Sequence, residues 1–176
     1  MPSRGELFRL LGLAAVLAAT ACGSRSGDTA GAERDVRVHV ERVVIDDNDT
    51  PVVVLEEEEG TRWLPIWIGS AEARSIALEI ESMRSPRPNT HDLARDLIQH
   101  LDAEVARVVV TELRDGTYYA MLHLSHAGHI VAVDARPSDA IAIALRAHAP
   151  IFVREPLFAQ GNADAPVAGE SPRREI

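Results

Sequence analysis

The chain has 176 residues, enough for one ordinary domain, and it carries 18 basic against 27 acidic side chains, a net charge of −9. All of the basic residues are arginine. The acidic balance disfavours a general polycationic nucleic-acid binder, because such binding rests on many Lys or Arg contacts with phosphate. A disulfide scaffold is excluded, since the sequence holds a single cysteine, Cys22.

Residues 1–21 have the features of a secretory signal peptide. Arg4 and Arg9 precede an apolar run that is too short to span a bilayer comfortably. Small residues then lead to Cys22, in an arrangement that resembles a bacterial lipobox, where the cysteine is lipidated and the chain is cut before it. We therefore expect an exported, membrane-anchored lipoprotein on the periplasmic or cell-surface side, with residues 22–33 as a flexible tether. The alternative is an ordinary signal peptide followed by a free cysteine.

The first part of the folded region is predicted to consist of strands. Alternating valines from Asp35 to Val40 indicate a half-buried strand. Residues 51–55 and 61–68 flank an acidic turn, Glu56 to Glu59, and predict a hairpin with solvated glutamates at its tip. Pro65 has no amide hydrogen, so the third strand is expected to lie at a sheet edge or to be interrupted there.

Two helices are predicted next, separated by a helix-breaking segment from Ser85 to Asn89. Ser70 is the expected N-cap of the first helix and Thr90 of the second, because hydroxyl side chains accept hydrogen bonds from free amides at a helix start. The second helix carries a single apolar stripe, made of Leu93, Leu97, Ile98 and Leu101.

Further strands and one buried helix complete the predicted elements. Asp115-Gly116 between two apolar segments is a strong hairpin signal. A strand at 130–133 precedes a helix over 140–145 that is apolar almost all round, so it should be largely buried. Pro150 ends this helix before a short strand at 151–153.

These elements predict an α+β fold. Strands and helices interleave without strict alternation and include at least two hairpins, which favours one mixed, mostly antiparallel sheet with about three helices. We expect a single domain over residues 34–158. Residues 159–176 lack apolar periodicity and predict a disordered tail.

Two segments share one plan, in which Arg-Pro precedes small polar residues and an aspartate at the start of an apolar helix: Arg87 to Leu93 and Arg136 to Ile141. A helix start presents free backbone N–H groups beside a guanidinium, which suits a phosphate or a carboxylate. The pattern therefore indicates an anion site. The alternative is that the aspartates only cap their helices and pair with the arginines.

The same region carries a family resemblance. The stretches LPIWIGSAEA at 64–73, RPNTHDL at 87–93 and DARPSDAIAIALRAHAPIFV at 134–153 together resemble the bifunctional nuclease domain family. The resemblance covers essentially the whole folded part. It implies hydrolysis of phosphodiester bonds in DNA or RNA, which would then be the substrate partners of this chain.

Phosphodiester hydrolysis needs a water nucleophile, charge stabilisation at phosphorus and help for the leaving oxygen. Arg87 and Arg136 are predicted to bind the substrate phosphate. A divalent metal, magnesium or manganese, is predicted on oxygen ligands chosen from four carboxylates: Asp134, Asp139, Glu72 and Asp92.

The predicted catalytic residues are Asp134, Asp139 and His91, with His91 as a general base or acid. Each has a structural alternative. His91 caps its helix in that view, Glu72 complements a helix dipole, and Asp134 pairs with Arg136.

A second hypothesis is a non-enzymatic module, anchored at the cell envelope, that uses the same helix starts to bind an anion or a protein. The acidic composition and the predicted export favour it. Exposed strand edges also offer a route to a homo-oligomer.

Overall fold

The computed structural model describes residues 34–161 of the chain. The predicted signal peptide and tether, with Cys22, lie outside the described residues, as does the predicted tail beyond residue 161. Between residues 34 and 161, no helix is long and apolar enough to cross a membrane.

Seven strands form a single sheet: β1 (Asp35–Ile45), β2 (Pro51–Glu57), β3 (Trp63–Trp67), β4 (Ala103–Arg114), β5 (Thr117–His126), β6 (His129–Ala135) and β7 (Ile151–Arg154). Their spatial order is β3-β2-β1-β7-β4-β5-β6. The β4 and β7 strands pair in parallel, and all other neighbours are antiparallel. The predicted mixed, mostly antiparallel sheet is confirmed, and β3, which contains Pro65, lies at an edge as expected.

Four helices complete the fold: α1 (Ser70–Ile80), α2 (Thr90–His100), α3 (Pro137–Ala147) and α4 (Pro156–Gly161). The short α4 was not predicted, and the expected disordered tail is wrong for residues 159–161, which are helical. Leu157 and Phe158 are almost completely buried in the core, and this burial holds the last turn against the sheet.

The core lies between one face of the sheet and the helices. Alternate strand residues such as Val53, Val108 and Val153 share one buried cluster with α3. Residues 140–144 of α3 are all buried, which confirms the prediction of a buried helix. The α3 helix contacts both α1 and α2, and residues from the first turn of all three helices line one cavity.

Both predicted helix caps are wrong by one residue. Gly69, not Ser70, occupies the N-cap position of α1, and Ser70 is the first helical residue. Asn89, not Thr90, caps α2 in a capping box: its side chain accepts from the amides of His91 and Asp92, and the Asp92 carboxylate accepts from the Asn89 amide. The reciprocal bonds to Asp92 explain why asparagine is the cap.

Three of the four residues in the predicted apolar stripe of α2 do not face the core, and only Ile98 does. Leu93, Leu97 and Leu101 are each more than half exposed, and the helix packs instead through Ala94 and Ile98. Three further exposed apolar residues lie on β6, the other edge strand: Ile130, Val131 and Val133. The domain thus presents apolar surface on α2 and on β6.

Candidate active site

The amino ends of α1, α2 and α3 meet at a cavity of about 350 Å³. Four of the predicted site residues line it: Glu72, His91, Arg136 and Asp139. Arg136 is the N-cap residue of α3 and precedes Pro137, whose fixed backbone favours the first helical position. The cavity therefore unites two segments that lie more than forty residues apart in the sequence, since His91 and Asp139 are separated by 48 positions.

Arg136 joins two carboxylates at the mouth of this cavity. Its Nε donates to Asp139 Oδ2 at 2.7 Å, and its Nη2 donates to Glu72 Oε1 at 2.6 Å and to Asp139 Oδ1 at 3.1 Å. The Arg136 side chain is 65% exposed, whereas Glu72 and Asp139 are 15% and 30% exposed. An accessible cation thus covers a pair of largely enclosed anions.

The carboxyl groups of Glu72 and Asp139 are ionised at neutral pH, because the pKa of each lies below its ordinary value. The pKa of Glu72 is lowered by the hydrogen bond from its own backbone amide and by Arg136. Burial raises the pKa of Asp139, but hydrogen bonds from Arg136 and His91 outweigh that effect and leave it below the usual value. The same pairing raises the pKa of Arg136, first through its bond to Asp139. The site therefore carries two negative charges and one positive charge.

Gly69 makes room for the Glu72 carboxylate. A Cβ atom at position 69 would collide with Glu72 Oε2, so a larger residue would push this carboxylate away. The sequence Ile-Gly-Ser at the end of β3 thus places Glu72, in the first turn of α1, close to the backbone that precedes the helix.

His91 is enclosed and its two ring nitrogens both have partners. The residue is 8% exposed. Its Nδ1 lies 2.8 Å from the Ser75 hydroxyl oxygen on α1, and its Nε2 lies 3.0 Å from Asp139 Oδ1 on α3. His91 thereby links the three helices around the cavity.

The buried residue Arg146 donates hydrogen bonds to the same group of side chains. Arg146 on α3 donates to Asp92 Oδ1 at 2.6 Å, to the Ser75 hydroxyl at 3.0 Å and to the carbonyl oxygens of Ser75 and Ala142. Its side chain is 3% exposed. Asp92 is thus engaged by Arg146 and by its helix cap, at an adjoining cavity of about 280 Å³.

Two predicted site residues lie outside this network. Asp134 is an exposed residue of β6, paired across the ladder with Met121 of β5. Arg87 is an exposed residue of the segment between α1 and α2, and Ser85 and Asn89 on either side of it line the cavity. The structure thus brings together Glu72, His91, Arg136 and Asp139, and it leaves Asp134 and Arg87 apart from them.

The sequence did not predict four residues that line the cleft or support it from α3: Ser75, Asn89, Arg74 and Arg146. Asn89 carried a usable signal, because Asn followed three residues later by Asp is a capping pattern. Ser75 and Arg146 carried none, since their contact joins positions 71 residues apart.

Two of the four carboxylates predicted as metal ligands lie close together. Within residues 34–161, no group of three or more His, Cys, Asp or Glu side chains is arranged to hold a metal ion. Magnesium, however, is often bound through only one or two carboxylates together with water. Glu72 and Asp139 fit that smaller set, because both converge on one cationic nitrogen of Arg136. Asp92 and Asp134 do not join them.

The fold and the site define an α+β domain whose helix starts enclose an acid–arginine cleft. The family model of the bifunctional nuclease domain matches residues 53–166, a range that contains the entire cleft. The chain belongs to this family, and the resemblance inferred from its motifs is confirmed.

Relatives occur in bacteria and in plants. An uncharacterized protein of Mycobacterium tuberculosis strain H37Rv is 45% identical over 130 residues, which is 74% of this chain and 75% of that protein. Bifunctional nuclease 1 of Arabidopsis thaliana is 33% identical over 109 residues, which is 60% of this chain and 34% of the plant protein. Bifunctional nuclease 1 of Oryza sativa subsp. japonica is 30% identical over 105 residues, or 57% and 32% of the two chains. The chain thus spans about a third of the plant proteins.

Proposed function

We propose that this domain hydrolyses phosphodiester bonds in DNA or RNA at the cleft formed by Glu72, Arg136 and Asp139. The observation that carries the proposal is the exposed Arg136 guanidinium, held by two ionised carboxylates at the mouth of a cavity. Guanidinium groups bind phosphate oxygens through their planar array of donors. The bonds from Arg136 to Glu72 and Asp139 use Nε and Nη2, so among the described residues Nη1 is the donor left for a phosphate oxygen.

Glu72 and Asp139 are the residues that would hold magnesium or manganese, and such an ion would supply an activated water and charge stabilisation at phosphorus. Arg136 has two roles in this proposal. It neutralises the two carboxylates when no substrate is present, and it turns toward the phosphate when substrate arrives. Its exposure leaves room for that movement.

The net negative charge of the chain is offset locally by arginines. Arg74 and Arg136 line the main cavity, and Arg84 and Arg95 line the adjoining one. They balance the carboxylates that line the same cavities, so the cleft repels a nucleic acid less than the acidic surface around it does. Since few phosphates are contacted and the rest of the surface repels them, affinity should be modest and should fall as salt is raised.

A cleavage assay with matched variants tests the proposal. The purified full chain is incubated with single- and double-stranded DNA and RNA, in magnesium, manganese or chelator. Asp139→Asn and Arg136→Ala should each lower the rate by about 100-fold or more, as loss of one charge-stabilising group does in other enzymes. Arg37→Ala is the matched control, because Arg37 is also an exposed, ion-paired arginine, bonded to Glu58. No cleavage by the wild type, or equal rates for the site variants, would refute the proposal.

The assay also separates the two placements of the catalytic carboxylate. Asp134 lies on β6, outside the cleft network, so Asp134→Asn should cut at close to the wild-type rate. A large loss in this variant would move the site from the cleft to β6.

The alternative is a non-enzymatic module that binds an anion or a protein at the envelope. The exposed apolar residues of α2 and β6 favour a protein-binding role, because large exposed apolar areas commonly mark interaction sites. Stable binding of nucleic acid or protein without cleavage, under all metal conditions, would select this alternative.

We also propose that the chain is anchored to a membrane through lipidated Cys22. The support is the sequence alone: a signal-like segment with small residues before the cysteine. Cys22→Ser should release the protein from the membrane fraction into the soluble fraction. Retention of this variant in the membrane fraction would contradict lipidation at Cys22.

A further inference from the structure

The hydroxyl group of Ser75 lies among three hydrogen-bonding partners. Asn89 Nδ2 is 3.2 Å away, Arg146 Nη2 is 3.0 Å away and His91 Nδ1 is 2.8 Å away. Ser75 is 5% exposed, so the protein supplies the partners of this hydroxyl. A hydroxyl has one proton to donate and two lone pairs to accept with. The direction of each bond can therefore be assigned.

Two of the three partners can only donate. Arg146 is a guanidinium and has no acceptor. The orientation of the Asn89 amide is fixed independently, because its Oδ1 accepts from the backbone amides of His91 and Asp92. Its Nδ2 is therefore the atom that faces Ser75, and it donates. These two donors occupy both lone pairs of the hydroxyl, so the Ser75 proton points to His91 Nδ1.

The protonation of the His91 ring follows from that direction. Nδ1 accepts from Ser75 and carries no proton, so the neutral ring has its proton on Nε2, which donates to Asp139 Oδ1. We propose that His91 is a positioning residue: Ser75, held by Asn89 and Arg146, fixes its Nε2-protonated tautomer, and this N–H orients the Asp139 carboxylate in the cleft.

This arrangement opposes two other roles for the same residues. A general base needs a free nitrogen near the substrate, and both nitrogens of His91 are engaged in an enclosed ring. The chain of Ser75, His91 and Asp139 resembles a hydrolytic triad, but the lone pairs of Ser75 are taken by two donors, one of them cationic. That occupancy makes the hydroxyl a poor nucleophile.

The catalytic part of this inference rests on the proposed function, since the carboxylate that His91 orients is one of the proposed metal ligands. The tautomer does not depend on that proposal. Two experiments keep the parts separate.

The first experiment measures the tautomer directly. In the ¹⁵N-labelled full chain, the His91 ring signals are assigned by their disappearance in His91→Gln, and ¹⁵N shifts and couplings distinguish protonated from bare ring nitrogens. We expect the neutral ring to carry a proton on Nε2 and none on Nδ1. A neutral ring protonated on Nδ1 would overturn the assignment.

The second experiment asks whether His91 transfers a proton. Glutamine can place an amide donor where Nε2 stands, but it cannot act as an acid or base. His91→Gln should therefore keep kcat within about tenfold of the wild type and preserve the shape of the pH profile, whereas His91→Phe should lose about 100-fold or more. The control is His100→Gln on the same helix, where the exposed ring bonds the Asp96 carbonyl, and its rate should be unchanged.

The outcomes are distinct. If His91→Gln falls by 100-fold or more, His91 transfers a proton and the positioning role is wrong. If circular dichroism shows that His91→Phe is unfolded, the rate of His91→Gln against the wild type still decides between the two roles. A strand end or nucleotide linked to Ser75 through a phosphodiester, detected by mass spectrometry after incubation with substrate, would overturn the assignment of a non-nucleophilic hydroxyl. If the wild type cuts no nucleic acid, the proposed function fails, and the NMR result still decides the tautomer.

Discussion

Replacement of Arg146 by methionine should be among the most destabilising single substitutions in the domain. The guanidinium is buried between three helices and donates to a carboxylate, a hydroxyl and two backbone carbonyls. Methionine retains most of the volume and removes all four bonds. Asp92 is then left without its cationic partner, which is the costly way to break a buried ion pair.

The expected loss can be bounded from the structure. Removing one partner of a buried ion pair typically costs about 3–5 kcal/mol. Asp92 is 24% exposed, faces a cavity and keeps its bond from the Asn89 amide, so water can reach the stranded carboxylate. The lower limit is therefore appropriate, and we expect Arg146→Met to lower the free energy of unfolding by about 3 kcal/mol. For a domain of this size the corresponding fall in Tm is about 10 °C.

Urea unfolding followed by circular dichroism provides the measurement. Arg114→Met is the control, since Arg114 is an exposed arginine paired with Glu112, and its loss should change stability by less than about 0.5 kcal/mol. The double variant Arg146→Met with Asp92→Asn should recover part of the loss by removing the stranded charge. A loss below about 1 kcal/mol in Arg146→Met would show that this network does not hold the helices together.

Three further predictions concern other parts of the domain. Glu57 is buried, and the hydrogen bond from Arg62 lowers its pKa to about 2. Its contribution to stability is therefore present above pH 4.5 and is lost as the pH falls toward 2. In Glu57→Gln the urea midpoint should be lower at pH 5 and should change less between pH 5 and pH 3. Asn89→Ala should cost about 1 kcal/mol or more in urea unfolding, because it removes the α2 cap and a bond to Ser75; an unchanged midpoint would contradict the capping role. Leu97→Glu should leave stability within about 0.5 kcal/mol, because the side chain is more than half exposed, and should reduce any self-association seen by light scattering if the stripe on α2 contacts a second copy.

The strands were predictable because their signals are local. Alternating valines, the Asp115-Gly116 turn and Pro65 each constrain a short stretch of backbone, and the structure places all three as expected. Glu57 is the exception within this region. It belongs to a run of four glutamates that the sequence predicts to be solvated, yet it is buried. Arg62 donates to it and lies 4.6 Å from the centre of the Phe158 ring. Phe158 comes from α4, and no local pattern could supply it.

The helices show where local reasoning fails. The stripe on α2 was correctly periodic, but periodicity does not say which face meets the core. The buried face of α2 is set by Ala94 and Ile98, which pack against the core, and by Asp92, which bonds to Arg146. The Arg136–Asp139 pair lies within one motif and was therefore predictable, whereas the Ser75–Arg146 contact exists only once α1 and α3 have packed.

The position of β7 has a consequence for how this protein is made. The first three strands and the strands β4 to β6 are each antiparallel units that can pair as soon as they leave the ribosome. Within the sheet they are joined through the four residues of β7, which pair with β1 on one side and β4 on the other. Until Ile151–Arg154 has been synthesised, each half presents an unpaired strand edge, the feature that promotes aggregation of incomplete sheets. A nascent chain is therefore most in need of chaperone protection just before its last strand emerges, and truncation ahead of Ile151 should yield two open half-sheets.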